Sequence, residues 1–405
     1  MTEYTSHTPQ PRLFWVSPVT PDKLDSATWV DTTRELRAQG MDVTLVTAGP
    51  AGPHKYDGVE VLNIPRPNVY LLGQVLFHLN ILRYLFPRRF SYDVVLFHQI
   101  SAVWLLPLRF LGRRRPLLVM DSRDVIDVDN RNLKARLRTT WFRMVYWLSE
   151  RLLDGQTVIT PRMADLVGVP PEQLWGIWPS GVDIETFAPA HRERRWPASG
   201  KPVHMVYVGI FLEKRNLLPL VRAVIQANEE GMSFVLSLYG DGPLRPELET
   251  LAAESGGAVR IQQPIPHEQI PLALTQAQVG VTSLPEPDDV KYEASSPIKL
   301  FEYMAAGMPV LATDNKCHTD VVGDGRFAFW AHGTSDEDIL EALREIWTQR
   351  QELRLLGHEA AAASHAWTWS AAARKLHGAI QYGVSHTGSH PAVAASKQSD
   401  PASVR

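Results

Sequence analysis

Lys299 and Glu302 stand three residues apart in the stretch Ser295-Ser-Pro-Ile-Lys-Leu-Phe-Glu-Tyr-Met-Ala-Ala-Gly-Met-Pro-Val-Leu-Ala-Thr-Asp314. The stretch reads as a short helix followed at once by a buried strand. Ser296 is placed to cap the helix, Pro297 suits its first turn, and Gly307 suits the left-handed residue after its end. At that spacing the two side chains occupy neighbouring positions on one helix face. Free backbone N–H groups at a helix start attract phosphate, and a carboxylate one turn further accepts hydrogen bonds from vicinal hydroxyls. Phosphate beside sugar hydroxyls describes one end of a nucleotide. Taken alone, the pair is equally an ordinary solvated surface pair contributing about a few tenths of a kcal/mol.

Two other places carry related chemistry. In Tyr207-Val-Gly-Ile-Phe-Leu-Glu-Lys-Arg-Asn216, Gly209 permits a tight strand exit. Lys214 and Arg215 then place two cations just before a helix, where they would neutralise a diphosphate or form a solvated basic turn. Leu238-Tyr-Gly-Asp-Gly-Pro-Leu244 resembles a dinucleotide fingerprint, but Arg245 stands at the third glycine position. Gly240 therefore reads as part of a plain turn into a helix, which lowers the case for a nicotinamide-dependent dehydrogenase.

The elements that must position these residues follow from the whole chain. Its 405 residues exceed one ordinary core, so two domains are expected, and 44% hydrophobic with 21% charged residues is the composition of a globular chain. A formal net charge of −3 argues against a nucleic-acid binder. The single cysteine, Cys317, excludes a disulfide framework and a multi-cysteine zinc site, and suits a reducing cytoplasm. No targeting segment is read at the start, and no run reaches the roughly 18 apolar residues of a spanning helix. Strand-like runs alternate with helix-like segments, the pattern of βα units around parallel sheets. One series runs from Leu13 to Ile159, the second restarts at Val203, and the Pro/Arg/Ala-rich segment 185–201 between them reads as a linker. The expected fold class is α/β, with two doubly wound Rossmann-like domains facing a cleft and ligands at the C-terminal strand ends. The segment from Val384 to Arg405 is expected to be disordered.

Together these stretches resemble glycosyltransferase family 4, a group of retaining, sugar-nucleotide-dependent enzymes of GT-B fold. The resemblance rests on Tyr207-Val-Gly209 with Lys214 and Arg215, the turn Leu238–Leu244, the Ser295–Thr313 segment, and Trp178-Pro-Ser-Gly-Val-Asp-Ile-Glu-Thr-Phe187. Their order and spacing match over roughly residues 10–382. The resemblance implies an acceptor domain over residues 10–188, a sugar-nucleotide domain over 200–365, and a helix over 366–382 crossing back to the first domain. It implies that Glu302 binds the ribose hydroxyls, with Lys299 second to it, and that Lys214 and Arg215 hold the diphosphate. It implies catalysis without a metal; the acidic run Glu286-Pro-Asp-Asp289 reads as a solvated loop.

The sequence departs from the family in three places. Where the family usually has a glutamate near the donor sugar, this chain has Ala294, with Glu293 next to it. Either Glu293 serves, or Ser295 and Ser296 contact the donor; the second is the favoured expectation. The loop Ser17–Ala27 lacks the family's paired glycines. In Asp121-Ser-Arg-Asp124, Arg123 occupies the usual histidine position. Arg123 and Asp124 are thus candidates for acceptor binding or catalysis, or form a pair that pins the loop. His98 is a third acceptor candidate, or a structural histidine.

The expected activity is transfer of a sugar from a nucleotide-diphosphate sugar to a hydroxyl on a glycan or lipid-linked acceptor, with no separate cofactor, in cell-envelope or exopolysaccharide assembly. Two rivals are a nucleotide-sugar epimerase or hydrolase of this fold, and a non-catalytic GT-B partner subunit. Arg83, Arg88, Arg89, Arg109, Arg113–Arg115, Lys134, Arg136, Arg138 and Arg143 alternate with apolar and aromatic stretches. Such helices either lie on an anionic membrane, giving peripheral contact at its inner face, or pack their apolar faces on the sheet.

Overall fold

The computed structural model describes residues 10–17, 20, 27–112, 115–124, 133–197 and 200–387, with the backbone only at 27, 70, 71, 133–135 and 138. Most of the loop 17–27, residues 113 and 114, the side chains of Lys134 and Arg138, and the tail from 388 onward lie outside the described residues. The chain divides into two compact units. One comprises residues up to Pro179 together with those from Trp369, the other Ser180–Thr368.

In the first unit the chain runs through β1 (Leu13–Val16), α1 (Ala27–Ala38), β2 (Val43–Ala48), β3 (Gly52–Tyr56), β4 (Val59–Ile64), α2 (Tyr70–Arg88), β5 (Val94–His98) and α3 (Ala102–Leu105). It continues through β6 (Leu117–Ser122), α4 (Leu133–Leu152), β7 (Gly155–Val158), α5 (Pro161–Val167) and β8 (Leu174–Ile177). The strands form one sheet in the order β3-β4-β2-β1-β5-β6-β7-β8, parallel except for the β3–β4 hairpin. Apolar runs such as Leu13-Phe-Trp-Val16 are buried throughout, as strands covered on both faces must be. Phe77, Ile81 and Leu85 of α2, Leu105 of α3 and Val145 of α4 all pack on Phe14, Val95, Phe97 and Leu118, so these helices cover one face of the sheet.

The second unit opens with α6 (Ile184–Glu193) and proceeds through β9 (Val203–Val208), α7 (Leu217–Glu229), β10 (Phe234–Tyr239), α8 (Arg245–Glu254), β11 (Val259–Gln262), α9 (Ile270–Leu274), β12 (Val279–Val281), α10 (Val290–Glu293) and α11 (Ile298–Ala305). Then come β13 (Val310–Thr313), α12 (Lys316–Val322), β14 (Ala328–Ala331), α13 (Asp336–Thr348) and α14 (Leu353–Ser364). Its sheet order, β11-β10-β9-β12-β13-β14, is the doubly wound arrangement, with the order reversing between β9 and β12. The chain then enters α15 (Trp369–His386), which packs on α1 and β8 in the first unit.

Three expectations are corrected. The presumed linker contains α6, and the first unit ends at Pro179, before residue 188. Asp183 caps α6 by accepting from Glu185 N, and Phe187 and Ala190 bury its inner face, which composition alone concealed. The tail was expected from 384, but α15 continues to His386 because Val384 still has a buried position to fill.

Candidate functional site

In the second unit the switch point is formed by the exits of β9 and β12. Gly209 leaves β9 at φ +155°, and its N–H donates to Tyr239 O at 2.9 Å. A Cβ at Gly209 would stand 2.6 Å from Lys299 Cε and 3.1 Å from its Nζ, so the ammonium of Lys299 lies against this exit. Sequence ranked Lys299 below Glu302; the fold brings it directly to the glycine at the strand exit that precedes Lys214 and Arg215. Gly307 follows α11 at φ +65°, as expected of the residue after a helix end.

The glycines of the next turn serve packing. A Cβ on Gly240 would meet Gly209 O, and one on Gly242 would stand 2.4 Å from Phe211 O. Phe211 N donates to Asp241 O at 2.9 Å, which ties the two strand exits together. Arg245, the residue that spoiled the fingerprint, donates from Nη2 to Gly240 O and Gln262 O, both at 2.9 Å, and so braces the turn against β11.

The two cations after β9 differ. Lys214 is exposed on a turn of 3-10 helix, Glu213–Arg215. Arg215 is half-buried, donates from Nη1 to Ser283 Oγ at 2.6 Å, and sits 5.2 Å above the Tyr292 ring. It thus links the β9 loop to the segment after β12. Burial raises the Tyr207 hydroxyl to about 12 against the lowering effect of nearby Arg215.

The segment 286–296 is anchored from several sides. Asn315 Nδ2 donates to Glu286 O at 3.0 Å and Pro287 O at 3.2 Å. Asp289 caps α10, and Glu286 accepts from the Thr334 hydroxyl, so this acidic run is held by protein groups. Ala294 is fully buried, and Glu293 beside it is partly exposed. Ser295 Oγ donates to Tyr292 O at 2.8 Å, and Ser296 Oγ accepts from Ser180 N at 2.9 Å. The predicted cap by Ser296 is therefore corrected. Helix α11 begins at Ile298 after Pro297 with no side-chain cap, because the Ser296 hydroxyl is engaged by the chain entering this unit.

Glu302 is buried on α11, and its Oε1 accepts from His267 Nε2 at 2.8 Å. His267 was missed by sequence reasoning. It lies in the segment after β11, and a lone histidine on a loop gives no periodic signal.

In the first unit Arg123 is buried and stacks on Trp178 at 3.4 Å. Its Nε donates to Asp121 Oδ2 at 2.8 Å, and the other Asp121 oxygen accepts from Thr157 Oγ1 and Trp178 Nε1. Burial lowers the pKa of the guanidinium, opposed by Asp121. The loop-pinning alternative holds with a different partner, since residues two apart along extended chain share a face and adjacent ones do not. Asp124 is instead exposed, with Oδ2 3.6 Å from His98 Nε2. His98 Nδ1 accepts from Ile100 N at 3.3 Å, which leaves the proton on Nε2 facing that carboxylate. Two of the three acceptor candidates are thus brought together, and Arg123 is committed to the strand packing.

Helices α2 and α4 have a packed face and a second, exposed apolar face. Leu72, Leu79 and Phe86 recur every seven residues on α2, and Leu137, Trp141, Met144 and Trp147 are exposed on α4. Arginines lie among them: Arg89 over Phe86 and Phe90 at 5.0 and 4.4 Å, and Arg151 over Trp147 at 4.3 Å. Helix α2 has no acidic residue and α4 only Glu150. Among the described residues, no helix is long and apolar enough to cross a membrane.

Comparison with known proteins agrees with this geometry. Residues 191–362 match the family described as Glycosyl transferases group 1, and residues 26–174 match the Glycosyl transferase 4-like domain. WcaL of Salmonella typhimurium, assigned as a colanic acid biosynthesis glycosyltransferase, is 26% identical over 219 residues, covering 54% of this chain and 52% of WcaL. The chain thus spans about half the length of the curated relatives it matches. Sucrose-phosphate synthase from Thermosynechococcus elongatus superposes with a TM-score of 0.72 at 19% identity, over 91% of this chain and 97% of that one. Anabaena Alr3699/HepE in complex with UDP-glucose gives 0.64 at 14% identity, over 96% and 100%.

Proposed function

The chain belongs to the family-4 type of glycosyltransferases and has their GT-B fold, and from that premise we propose that it transfers a sugar from a nucleotide-diphosphate sugar to a hydroxyl acceptor. The observation that carries this reading is the contact of Lys299 with the Gly209 exit beside the switch point of the second unit, with Glu302 three residues further along the same helix. The diphosphate would lie at the Gly209 exit and the α11 N-terminus, where Lys299 and Lys214 stabilise the charge that develops as the glycosidic bond breaks. Glu302 would accept from the ribose hydroxyls one helical turn away. Retention, a hexosyl donor and independence of metal ions are further parts of the proposal, resting on the resemblance to family 4. A UDP-glucose complex of a structural neighbour supports the donor class.

For the acceptor, His98 and Asp124 are the candidate contacts at the strand ends of the first unit. The exposed apolar stripe and arginines of α2 and α4 suit an anionic membrane surface, from which a lipid-linked saccharide would be supplied. Such an acceptor suits cell-envelope or exopolysaccharide assembly at the cytoplasmic face. Buried Ala294 favours one second reading, a non-catalytic subunit that binds nucleotide without transfer.

The test is a thermal-shift and calorimetric panel of UDP, GDP and ADP with their sugars, followed by product analysis with and without acceptor. Binding that Glu302→Ala abolishes, with glycosylated acceptor as product, is expected. Undiminished binding in Glu302→Ala would overturn the site. Donor binding with no product would favour the non-catalytic subunit, and acceptor-independent breakdown or isomerisation a hydrolase or epimerase.

A further inference from the structure

Glu302 carries a carboxylate whose side chain is only 9% exposed, and burying such a charge is costly without a fixed partner. Its partner is His267, from the 3-10 turn His267–Gln269 that leads into α9. The His267 side chain is 42% exposed, and the buried Phe187 of α6 meets its ring edge-on, with centroids 6.0 Å apart. The imidazole therefore has a wall on one side, solvent on another, and the carboxylate at 2.8 Å. Among the described residues, this is the side-chain hydrogen bond that Glu302 makes. A carboxylate has about four acceptor positions, so one N–H on Oε1 leaves capacity for both hydroxyls of a vicinal diol. What the imidazole removes is rotational freedom: a glutamate χ3 torsion is broad, and a diol needs both oxygens presented in one plane.

We propose that His267 is a positioning residue that fixes the Glu302 carboxylate for a ribose 2′,3′-diol, and thereby sets a preference for ribonucleotides over 2′-deoxyribonucleotides. This rests on the reading of Glu302 as the ribose ligand. A site built to hydrogen-bond a hydroxyl rejects the analogue lacking it, because its own polar group is then left unpaired. That rejection is sharp only when the acceptor cannot swing to another partner. Without His267 the carboxylate is free to turn toward water, and the missing 2′-hydroxyl costs less.

The experiment uses the full chain and whichever of UDP, GDP or ADP binds it best, together with the 2′-deoxy counterpart and inorganic pyrophosphate. Wild-type protein is expected to prefer the ribonucleotide by about tenfold or more, the worth of one hydrogen bond to a charged group. In His267→Ala the preference is expected to fall to about twofold or less while pyrophosphate affinity is unchanged, and His267→Gln, which keeps an N–H near the same point, restores part of it. If His267→Ala does not fold, His267→Leu fills the space beside Phe187 without a donor and gives the same readout. A full preference retained in the donor-less variant overturns the proposal. A purely structural role would weaken ribo- and deoxyribonucleotide equally, which also overturns it. Glu302→Ala separates the two levels. If Glu302→Ala keeps the preference, or if none of the three nucleotides binds wild-type protein, the reading of the ribose site fails. If Glu302→Ala loses it and His267→Ala does not, only the role of His267 fails.

Discussion

Gly240 lies so close to Gly209 that a Cβ built on it would be 1.8 Å from the Gly209 carbonyl oxygen. The loop proposed for the diphosphate and the turn after β10 thus touch backbone to backbone, and Gly240 also sits at φ +157°. Gly240→Ala is expected to lower the stability of the second unit by about 3 kcal/mol or more and to abolish nucleotide binding. Gly231→Ala, where φ is +89° but nothing lies within 4 Å, is the control, at about 1 kcal/mol. Urea unfolding measures both, and equal losses would contradict the packing role.

Arg194 is a buried cation held by carbonyl oxygens. It donates to Ala277 O at 2.7 Å, Ala306 O and Gly307 O at 2.8 Å, and Leu274 O at 3.0 Å, and so satisfies the ends of α9 and α11. Burial draws its pKa down to about 9, which still leaves it charged at neutral pH. Arg194→Met keeps the volume and strands these acceptors, at an expected cost of about 3 kcal/mol in urea unfolding.

Arg123→Met separates structure from acceptor binding in the first unit. It leaves buried Asp121 without its cation, with an expected loss of about 3–5 kcal/mol. Asp124 is 73% exposed, so Asp124→Asn should leave stability unchanged within about 0.5 kcal/mol and raise the KM for acceptor. An unchanged KM would remove Asp124 from the acceptor site.

Each unit contains a histidine that burial keeps neutral: His78, where Nδ1 meets Gln74 O and Nε2 meets Ser101 Oγ, and His318, where Nδ1 meets Thr313 O. Burial lowers both from 6.5 to about 4. Between these values the unfolded chain takes up protons that the folded chain does not, so stability falls as pH drops from about 6.5 toward 4. Each contributes at most about 3 kcal/mol to that loss. His318→Asn should flatten the slope of unfolding free energy against pH, and an unaltered slope would refute the assignment.

The α4 stripe predicts partition onto anionic vesicles. Trp141→Ser with Trp147→Ser should reduce sedimentation with phosphatidylglycerol–phosphatidylcholine vesicles about tenfold or more, and binding of the unmodified chain should weaken with salt. Equal sedimentation of the double variant would exclude this face.

The order of strands and helices was legible because hydrophobic periodicity is local: Val203–Val208, Phe234–Tyr239 and Val259–Gln262 fall where the apolar runs end. Strand β3, Gly-Pro-His-Lys-Tyr, was not, since it is held by an antiparallel partner and its own residues lack strand character. Gly209, Lys214, Lys299 and Glu302 were legible as types at strand exits and on one helix face. Which group each side chain meets was decided by tertiary structure alone. Arg123 pairs with Asp121 and stacks on Trp178, Arg215 reaches Ser283, and Ser296 receives Ser180 N. His267 finds Glu302 across 35 positions of sequence. A chain specifies periodicity residue by residue, but a hydrogen bond between distant residues exists only after separate elements have packed and fixed their distance.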